Sequence, residues 1–386
     1  MDWPETPIEY WSGFQPRFCP WRECLEHRRR NPGYRFHRHA SYSTQRRKRV
    51  TRFRCLTCGR TFSTQTFSLT YYRKRPELLR PVAAGIVAGS ALRQIARSLD
   101  CAKTTVERIS ARLGRHAILL HARSLESVRG TLAEPIVFDH FETFEFTQDF
   151  PFGVGTAVGS RSWFVYGLDP APHGRGGHKS PAQRRRLRSR PKRASHGHYL
   201  GSTRRILDLL LNLIPEEKRL TIVSDGHPDY SRAIRRHPKR YHMQLRAFPN
   251  PPRGRKGSKR SPDAVARDQA MFPADLLHKL LRHSLAHHRR ETIAFTRRLN
   301  AAMERLCLTA IWRNFVKARS ERRPRSPTPA QSLGLTESQW SWKRVLSKRL
   351  FYDRVQLAEP WPLLYRRGWD TPLLVANAPH SNVRNY

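Results

Sequence analysis

The sequence predicts an α/β protein that is preceded by a small metal-binding module and a helical segment. Three observations lead to this prediction. Two cysteine pairs lie near each other, apolar residues recur at helical spacing between Leu78 and Leu125, and two later apolar segments each end in an aspartate. Apolar runs of strand length that alternate with helical patterns are typical of α/β proteins.

The paired cysteines are spaced as metal ligands on two tight turns, as Cys19-x4-Cys24 and Cys55-x2-Cys58. The second pair lies in the segment from Arg52 to Ser63, which has the form of a zinc-ribbon knuckle, and Gly59 lets the backbone turn back toward the metal. We therefore predict a structural Zn²⁺ bound by all four thiolates. Three histidines are alternatives for one ligand of the looser first pair: His27, His37 and His39.

Disulfide bonds are the alternative role for these cysteines. They are disfavoured because no secretory apolar segment opens the chain and because the two remaining cysteines, Cys101 and Cys307, stand alone. We expect a reducing, cytoplasmic environment.

The charge of the chain indicates a polyanionic partner. Its 386 residues, enough for two or three domains, include 73 Lys and Arg against 30 Asp and Glu, a formal net charge of +43. Such a field attracts nucleic acid, and the binding should weaken steeply with salt. A membrane is disfavoured because no run of about 18 apolar residues and no amphipathic anchor is present.

The helical segment has its apolar pattern interrupted from Asp100 to Thr105. Thr104 or Thr105 is suited to cap the next helix. We predict two short helices around this turn, a helix-turn-helix whose second helix runs from Thr105 to Leu113. The residues expected to face a major groove and its phosphates are Lys103, Thr104, Thr105, Glu107, Arg108 and Arg112. An ordinary helical hairpin is the alternative.

The later elements alternate between strands and helices. The first predicted strand runs from Glu134 to Asp139 and continues from Phe141 to Phe146, and Pro151 marks the turn after it. The other predicted strands run from Val154 to Val158, from Trp163 to Leu168, from Arg219 to Asp225 and from Met243 to Phe248. Predicted helices run from Ile206 to Ile214, from Phe272 onward with Pro273 near the start, and from Thr292 to Val316. Hairpin-rich strands, a helix, a parallel-looking strand and long helices suit an RNase H-like α/β fold.

Three segments lie outside this pattern. Two basic inserts, near residues 173–200 and 249–264, lack core-forming residues and are expected to be loops. After Ser320 the composition turns to Pro, Ser and Trp, and short elements such as Trp342 to Phe351 are expected to pack back on the body.

Two aspartates end apolar strands in a chain that has few acids. Placing Asp139 and Asp225 at neighbouring strand ends costs several kcal/mol, through repulsion and desolvation, unless cations bind between them. We therefore predict a site for two Mg²⁺ or Mn²⁺ ions about 4 Å apart, as used for in-line phosphoryl transfer. The alternative is that each aspartate caps a turn, as Asp225-Gly226 commonly does.

A third acid normally completes such a site, and Asp275 near the start of a helix is favoured over Glu291 and Glu304. Its alternative role is to face the helix dipole, with Lys279 as a surface ion-pair partner. His278 and Arg282 share its helical face and could contact a scissile phosphate.

Three segments carry a resemblance to a known family: Arg52 to Ser63, Thr221 to Tyr230 and Arg289 to Phe295. They resemble the insertion-sequence transposases that have an N-terminal zinc ribbon, a helix-turn-helix and a DDE-type catalytic core, and the similarity extends to about residue 318. The resemblance implies that Asp139 and Asp225 are the first two acids. It places Asp275 third, where the family usually has glutamate.

The resemblance also implies an organisation and a function. The expected parts are a zinc ribbon at 1–70, a helix-turn-helix domain at 75–128, a catalytic core at 130–318 and a C-terminal extension at 319–386. The expected activity is Mg²⁺-dependent cutting of element ends and joining of the 3′-hydroxyl to target DNA, by a homo-oligomer in the bacterial nucleoid. Because such phosphoryl transfer needs positioning and charge neutralisation more than a side-chain nucleophile, no Ser or Tyr nucleophile is assigned, although Tyr230 is close enough to Asp225 in sequence to be considered. The alternatives are a non-catalytic DNA-binding descendant, an RNA-directed nuclease and a structural basic protein.

Overall fold

The computed structural model describes residues 14–28, 33–44, 47–190, 198–252, 257 and 259–374. Parts of several predictions lie outside them: residues 1–13 of the ribbon, 191–197, 253–256 and 258 of the basic inserts, and 375–386 of the extension. The described chain is a mixed α/β protein with two sheets, one of three strands and one of five.

The cysteine-bearing module is built on the smaller sheet. It consists of α1 (Leu25–Arg28), β1 (Phe36–Thr44), β2 (Arg47–Cys55) and β3 (Thr61–Ser63). The strands form an antiparallel sheet in the order β1-β2-β3. Its small core joins aromatic rings such as Phe53 and Phe62 to the cysteines, and Phe351 from the C-terminal segment completes it. A module with so few apolar side chains depends on a metal or another staple for stability.

Three helices follow: α2 (Leu79–Val87), α3 (Leu92–Ser98) and α4 (Lys103–Glu126). The predicted interruption is present between α3 and α4, but two details of the prediction were wrong. The N-cap of α4 is Ala102, not Thr104 or Thr105, and α4 has 24 residues instead of ending at Leu113. It is longer because the apolar pattern continues through Leu125, so its second half is buried in the protein interior.

The larger sheet contains β4 (Ile136–Phe144), β5 (Pro151–Gly159), β6 (Val165–Pro172), β7 (Leu220–Ser224) and β8 (Met243–Ala247). The strand order is β6-β5-β4-β7-β8. Strands β4, β5 and β6 are antiparallel neighbours, whereas β7 is parallel to both β4 and β8. The hairpin strands are longer than predicted, since Pro151 begins β5 instead of marking a turn and β6 continues to Pro172.

Helices cover both faces of this sheet: α6 (Tyr199–Leu211), α7 (Pro228–Arg235), α8 (Pro262–Ser284) and α9 (Leu299–Ile311), which continues as a π-helical turn (Trp312–Val316). A further helix, α5 (Pro181–Arg188), lies in the first basic insert, and all its residues are exposed or half-buried. Neighbouring residues of β4 face opposite sides, since the Phe138 ring contacts Tyr230 of α7 whereas Val137 packs against Met271 of α8.

Three helix predictions were wrong. Part of the first basic insert, expected to be a loop, forms α5. Helix α8 begins at Pro262, because the Ser261 hydroxyl caps it by accepting from the Ala264 N–H at 3.2 Å, so Pro273 lies inside the helix. Helix α9 begins at Leu299 instead of Thr292, and Ile293, which fits the apolar spacing of the predicted helix, lies before α9 and is fully exposed.

Helix α9 packs closely on α4 at a glycine. A Cβ added at Gly114 would lie 2.3 Å from the Cβ of Glu304, so only glycine allows the two backbones to approach this closely.

The C-terminal segment packs back on the rest of the chain through α10 (Pro329–Ser332), α11 (Trp342–Ser347) and α12 (Trp361–Tyr365). His116 of α4 donates from Nε2 to the Val345 carbonyl oxygen at 2.9 Å. Farther on, Arg349 donates to the Thr64 carbonyl oxygen at 3.2 Å and Arg354 to that of His27 at 3.0 Å. The segment therefore connects the cysteine module to the helical region.

We expect acid to weaken this attachment through His116. Burial lowers the pKa of His116 to about 4, against the opposing effect of its hydrogen bond to Val345. Because histidine in an unfolded chain titrates near 6.5, the stability that depends on neutral His116 is complete above pH 6.5 and is lost as the pH falls to about 4. Over that window the native chain should lose on the order of 3 kcal/mol more unfolding free energy than His116→Gln. Denaturant unfolding at pH 7 and pH 4 measures this difference, and equal losses would contradict it.

Candidate functional site

The four paired cysteines converge on one point. Their sulfur atoms all lie within 4.8 Å of one another, with 3.7 Å between Cys19 and Cys58 and 3.7 Å between Cys24 and Cys55. Four sulfurs bound to Zn²⁺ at about 2.3 Å form a tetrahedron with edges of about 3.8 Å, whereas a disulfide requires about 2.05 Å. The cysteines are free thiols, and their spacing fits a tetrahedral metal such as zinc.

The local backbone explains this convergence. Cys55 ends β2 and Cys58 lies in the following turn, which Gly59 closes with a φ of +68°. The alternative histidine ligands are not used in this arrangement. His27 Nδ1 donates to the Cys19 carbonyl oxygen at 2.7 Å, and His37 and His39 are exposed on β1. His27 thus supports the turn that carries Cys19.

Cys19, Cys24 and Cys55 ionise unequally. Burial raises the pKa of Cys19 and of Cys24, the latter to about 11. Burial also opposes ionisation of Cys55, but the Cys58 N–H, followed by the Tyr34 hydroxyl, lowers its pKa to about 7. Because the anions would also repel one another, full ionisation of all four requires a bound cation, which displaces the thiol protons.

Asp139 and Asp225 are brought to the same part of the larger sheet. Val137 lies opposite Val223 in the parallel β4–β7 ladder, and both pack against α8. Each aspartate follows its valine by two residues, so both side chains start from the same face of neighbouring strands, which lie about 4.8 Å apart. Asp275 belongs to α8, directly after Ala274 of the same apolar cluster.

Asp139 lies at the centre of this acidic group, with an 18% exposed side chain. Its Oδ1 accepts the His140 N–H at 2.8 Å and the Tyr230 hydroxyl at 3.3 Å. Burial, then the charge of Asp225, and more weakly that of Asp275, raises the pKa of Asp139 to about 7. Asp225 and Asp275 are therefore near enough to disfavour the ionised form of Asp139.

Asp225 also caps a turn, as its alternative role predicted. Its Oδ1 accepts the His227 N–H at 3.1 Å across Gly226, whose φ is +83°. The other oxygen, Oδ2, accepts from the Asn250 side-chain amide at 3.2 Å. These contacts fix the orientation of the carboxylate without excluding a further ligand role, because each oxygen retains a free lone pair.

Asp275 is paired with an arginine. The Arg267 guanidinium contacts both its oxygens, with Nη2 3.3 Å from Oδ1, so Arg267 replaces the expected partner Lys279. Among the described residues, only the four cysteines place three or more ligand atoms within 4.8 Å of one another. A cation shared by the aspartates would therefore have to compete with Arg267 for Asp275.

The two rival acids lie elsewhere. Glu304 is only 2% exposed and pairs with Arg367, with 3.1 Å between Oε1 and Nε, in the α4–α9 interface. Glu291 is exposed in the connection between α8 and α9. Of the three candidates, Asp275 alone belongs to the helix that packs against β4 and β7.

Two residues expected near a scissile phosphate have defined contacts. His278 Nε2 lies 2.9 Å from the Thr156 hydroxyl, and its Nδ1 lies 3.7 Å from Asp139 Oδ2. Burial lowers the pKa of His278 to about 3, so it is neutral at pH 7. Arg282 donates to the carbonyl oxygens of His288 and Glu142, both at 3.0 Å.

Sequence reasoning missed His140 and Arg267. The His140 ring stacks on Tyr199 with 3.9 Å between centroids, and its Nδ1 lies 2.9 Å from the Tyr230 hydroxyl. The available signal was a histidine directly after Asp139 in a buried strand. Arg267 had no such signal, because the helix that carries it was predicted to begin only at Phe272.

The predicted DNA contacts divide into exposed and buried residues. Thr104 and Arg108 are exposed, Thr105 is half-buried, and Lys103 forms an ion pair with Glu107 at 2.9 Å. The prediction that Arg112 faces outward was wrong, because it is 8% exposed. It donates to the carbonyl oxygens of Leu69, at 2.8 Å, and Tyr71, at 2.7 Å. The extension of α4 into the interior places this position against the chain.

Comparison with known proteins identifies no family for this chain. No protein-family model matches the chain, and no curated protein matches it. In the part of the chain that the structure describes, no helix is both long enough and apolar enough to cross a bilayer.

Proposed function

We propose that the protein is a DNA transposase that cuts element ends and joins 3′-hydroxyls to target DNA. The observation that carries the proposal is the placement of Asp139, Asp225 and Asp275 on elements that pack together, β4, the end of β7 and α8. Burial, then the charge of Asp225 and more weakly that of Asp275, raises the pKa of Asp139 to about 7. Mutually repelling carboxylates in a strongly cationic chain are typical of a site for divalent cations.

The larger sheet supports an RNase H-like core. Three antiparallel strands are followed by two parallel ones, and the first strand lies at the centre of the order β6-β5-β4-β7-β8. In this arrangement Asp139 belongs to the central strand and Asp225 follows its parallel neighbour. The chain order of the acids and the packing of α8 against both strands agree with a core of this type.

Each side chain of the proposed active site would have a defined role. Asp139, Asp225 and Asp275 offer the carboxylate oxygens that Mg²⁺ or Mn²⁺ prefers. Bound cations would activate a water molecule or a 3′-hydroxyl and stabilise the leaving oxygen. Tyr230 and the His140 N–H hold Asp139 Oδ1, while neutral His278 faces Oδ2. With its hydroxyl donated to Asp139, Tyr230 is a positioning residue and not a nucleophile.

The front of the chain would recognise DNA. The cysteine module, with zinc, and the α3–α4 turn would contact the element ends, with Lys103, Thr104, Thr105 and Arg108 as the remaining candidates after the correction at Arg112. Because two ends must be cut together, we propose a homo-oligomer that works on chromosomal DNA in the cytoplasm.

A second candidate function is a non-catalytic DNA-binding protein that derives from a transposase. The observation that favours it is the ion pair between Arg267 and Asp275, in which an arginine already neutralises the third acid. The two proposals differ in one property, since only the first requires divalent cations for a change in DNA covalent structure.

The test uses the full chain and a duplex fragment that carries its coding region with flanking DNA. With Mg²⁺ or Mn²⁺ we expect strand breaks that leave 3′-hydroxyls, and joining of those ends to a plasmid. In the same buffer without either cation we expect neither product. Binding without breakage under every condition would leave the non-catalytic proposal. Preferential cleavage of RNA–DNA hybrids would instead indicate an RNA-directed nuclease.

A further inference from the structure

The insert that follows β6 is attached to the protein body at one carboxylate. Asp149, in the connection between β4 and β5, has a side chain that is 1% exposed. Three arginines of the insert surround it: Arg175 with Nη1 at 3.0 Å, Arg186 with Nε at 2.7 Å and Arg190 with Nη2 at 3.2 Å. The Arg186 hydrogen bond, against the effect of burial, lowers the pKa of Asp149, so the carboxylate stays ionised at neutral pH.

The backbone that carries Asp149 is itself held in place. The Asp149 N–H donates to the Thr147 hydroxyl at 3.0 Å, and the Phe146 N–H donates to the Thr296 carbonyl oxygen at 2.7 Å. The buried Glu145 carboxylate accepts the Leu299 N–H at 2.7 Å. Asp149 is therefore a fixed acceptor, and the three arginines orient α5 relative to the sheet.

This contact orients the insert without neutralising it. One carboxylate faces three guanidinium groups, which leaves two positive charges in excess. Helix α5 also exposes Arg184, Arg185 and Arg188, which form no salt bridge with any residue that the structure describes. Concentrating cations in this way is costly unless a partner supplies negative charge at regular intervals.

The insert leaves the sheet at the end toward which β4 runs from Asp139. Phe144 pairs with Pro151, and Phe152 pairs with Pro172, the last residue before the insert. At the base of the insert, His173 Nε2 lies 3.0 Å from Glu142 Oε2, and its ring meets that of Tyr199 edge-on. Tyr199 also stacks on His140, which follows Asp139 in β4 and starts from the other face of that strand.

We propose that α5 is a phosphate-binding arm that contacts the backbone of duplex DNA at the end of the larger sheet toward which β4 runs from Asp139, and that Asp149 is the positioning residue that orients it. The choice of DNA as the source of the phosphates rests on the proposed function. The arm adds affinity and sets the path of the DNA, without reading base sequence.

The first test is the triple variant Arg184→Ala, Arg185→Ala, Arg188→Ala in the full chain. We expect its affinity for duplex DNA at 0.1 M salt to fall by about tenfold or more, and the slope of log affinity against log salt to become shallower by roughly 2 to 3. The matched control is Arg322→Ala, Arg323→Ala, Arg325→Ala, which removes equal charge from exposed positions of the C-terminal segment. Equal effects of the two triples would overturn the proposal.

For Asp149→Asn, the proposal and a simple effect of net charge predict opposite changes in DNA affinity. The variant adds one net positive charge, so attraction that depends on charge alone predicts tighter DNA binding. Loss of the oriented arm predicts weaker binding instead, although all the arginines remain. Tighter binding by this variant would overturn the positioning role, and the exposed arginine triple tests the arm even if Asp149→Asn fails to fold.

Both measurements are made in buffer that contains Zn²⁺ but neither Mg²⁺ nor Mn²⁺, so the cysteine module keeps its metal and no catalysis is required. The arm can therefore be supported while strand cleavage fails, and strand cleavage can be found while both arginine triples behave alike. Each proposal thus has its own contradicting outcome.

Discussion

Replacing Asp225 with asparagine should lower strand transfer by at least about a thousandfold while leaving DNA binding unchanged. Asparagine keeps the oxygen that accepts the His227 N–H, so the turn across Gly226 is retained. What disappears is a negative charge that a divalent cation needs. Loss of several kcal/mol of cation binding or transition-state stabilisation corresponds to a factor of this size.

The measurement is joining of labelled 3′ ends to plasmid DNA in Mg²⁺ and in Mn²⁺. Asp229→Asn is the matched control, because Asp229 is four residues away and pairs with Arg232 at 2.9 Å on the surface. The control should retain the native rate. Equal products from the native chain and Asp225→Asn would eliminate the catalytic proposal.

Removing the metal from the cysteine site should unfold the N-terminal module. The module has a small core in which the cysteines are themselves core residues, so the metal supplies most of its stability. Binding of structural zinc to comparable small modules contributes on the order of 10 kcal/mol. We expect one zinc per chain in the native protein, and a loss of this zinc together with an early unfolding transition in Cys55→Ser.

Zinc content and thermal unfolding, with and without chelator, test this expectation. The control is Cys101→Ser, which alters a half-buried thiol outside the site and should keep both the zinc and the native transition. A native protein that contains no zinc and is insensitive to chelator would contradict the metal-site assignment.

The parts of the fold that sequence predicted well are those fixed by local spacing. The Cys55-x2-Cys58 knuckle needs only a tight turn, so its geometry follows from neighbouring residues. Asp139 and Asp225 stood out because each follows a run of apolar residues. The prediction that Asp139 ends its strand was wrong, because β4 continues to Phe144, whereas Asp225 does follow the last residue of β7. Their placement on one face follows from the pairing of Val137 with Val223, a tertiary property that spacing alone does not give.

The predictions from sequence were wrong where contacts between residues far apart in the sequence determine the structure. Arg112 has the spacing of a surface residue, but carbonyl oxygens from Leu69 and Tyr71 accept its hydrogen bonds in the interior. Helix α5 has no apolar face that periodicity could detect, and it is oriented by Asp149, far away in sequence. The full length of α4 could have been predicted, since apolar residues continue to Leu125, but the predicted helix stopped at Leu113.

The attachment of the C-terminal segment has a consequence for how DNA can be read. Phe351 completes the core of the cysteine module, while Val345 accepts a hydrogen bond from α4. One short segment of the chain thus connects the cysteine module to α4, the two parts proposed to recognise element ends. Under the proposed function, two connected modules would share a single footprint, so the base-pair distance between the two sequences they recognise would become part of the recognised signal.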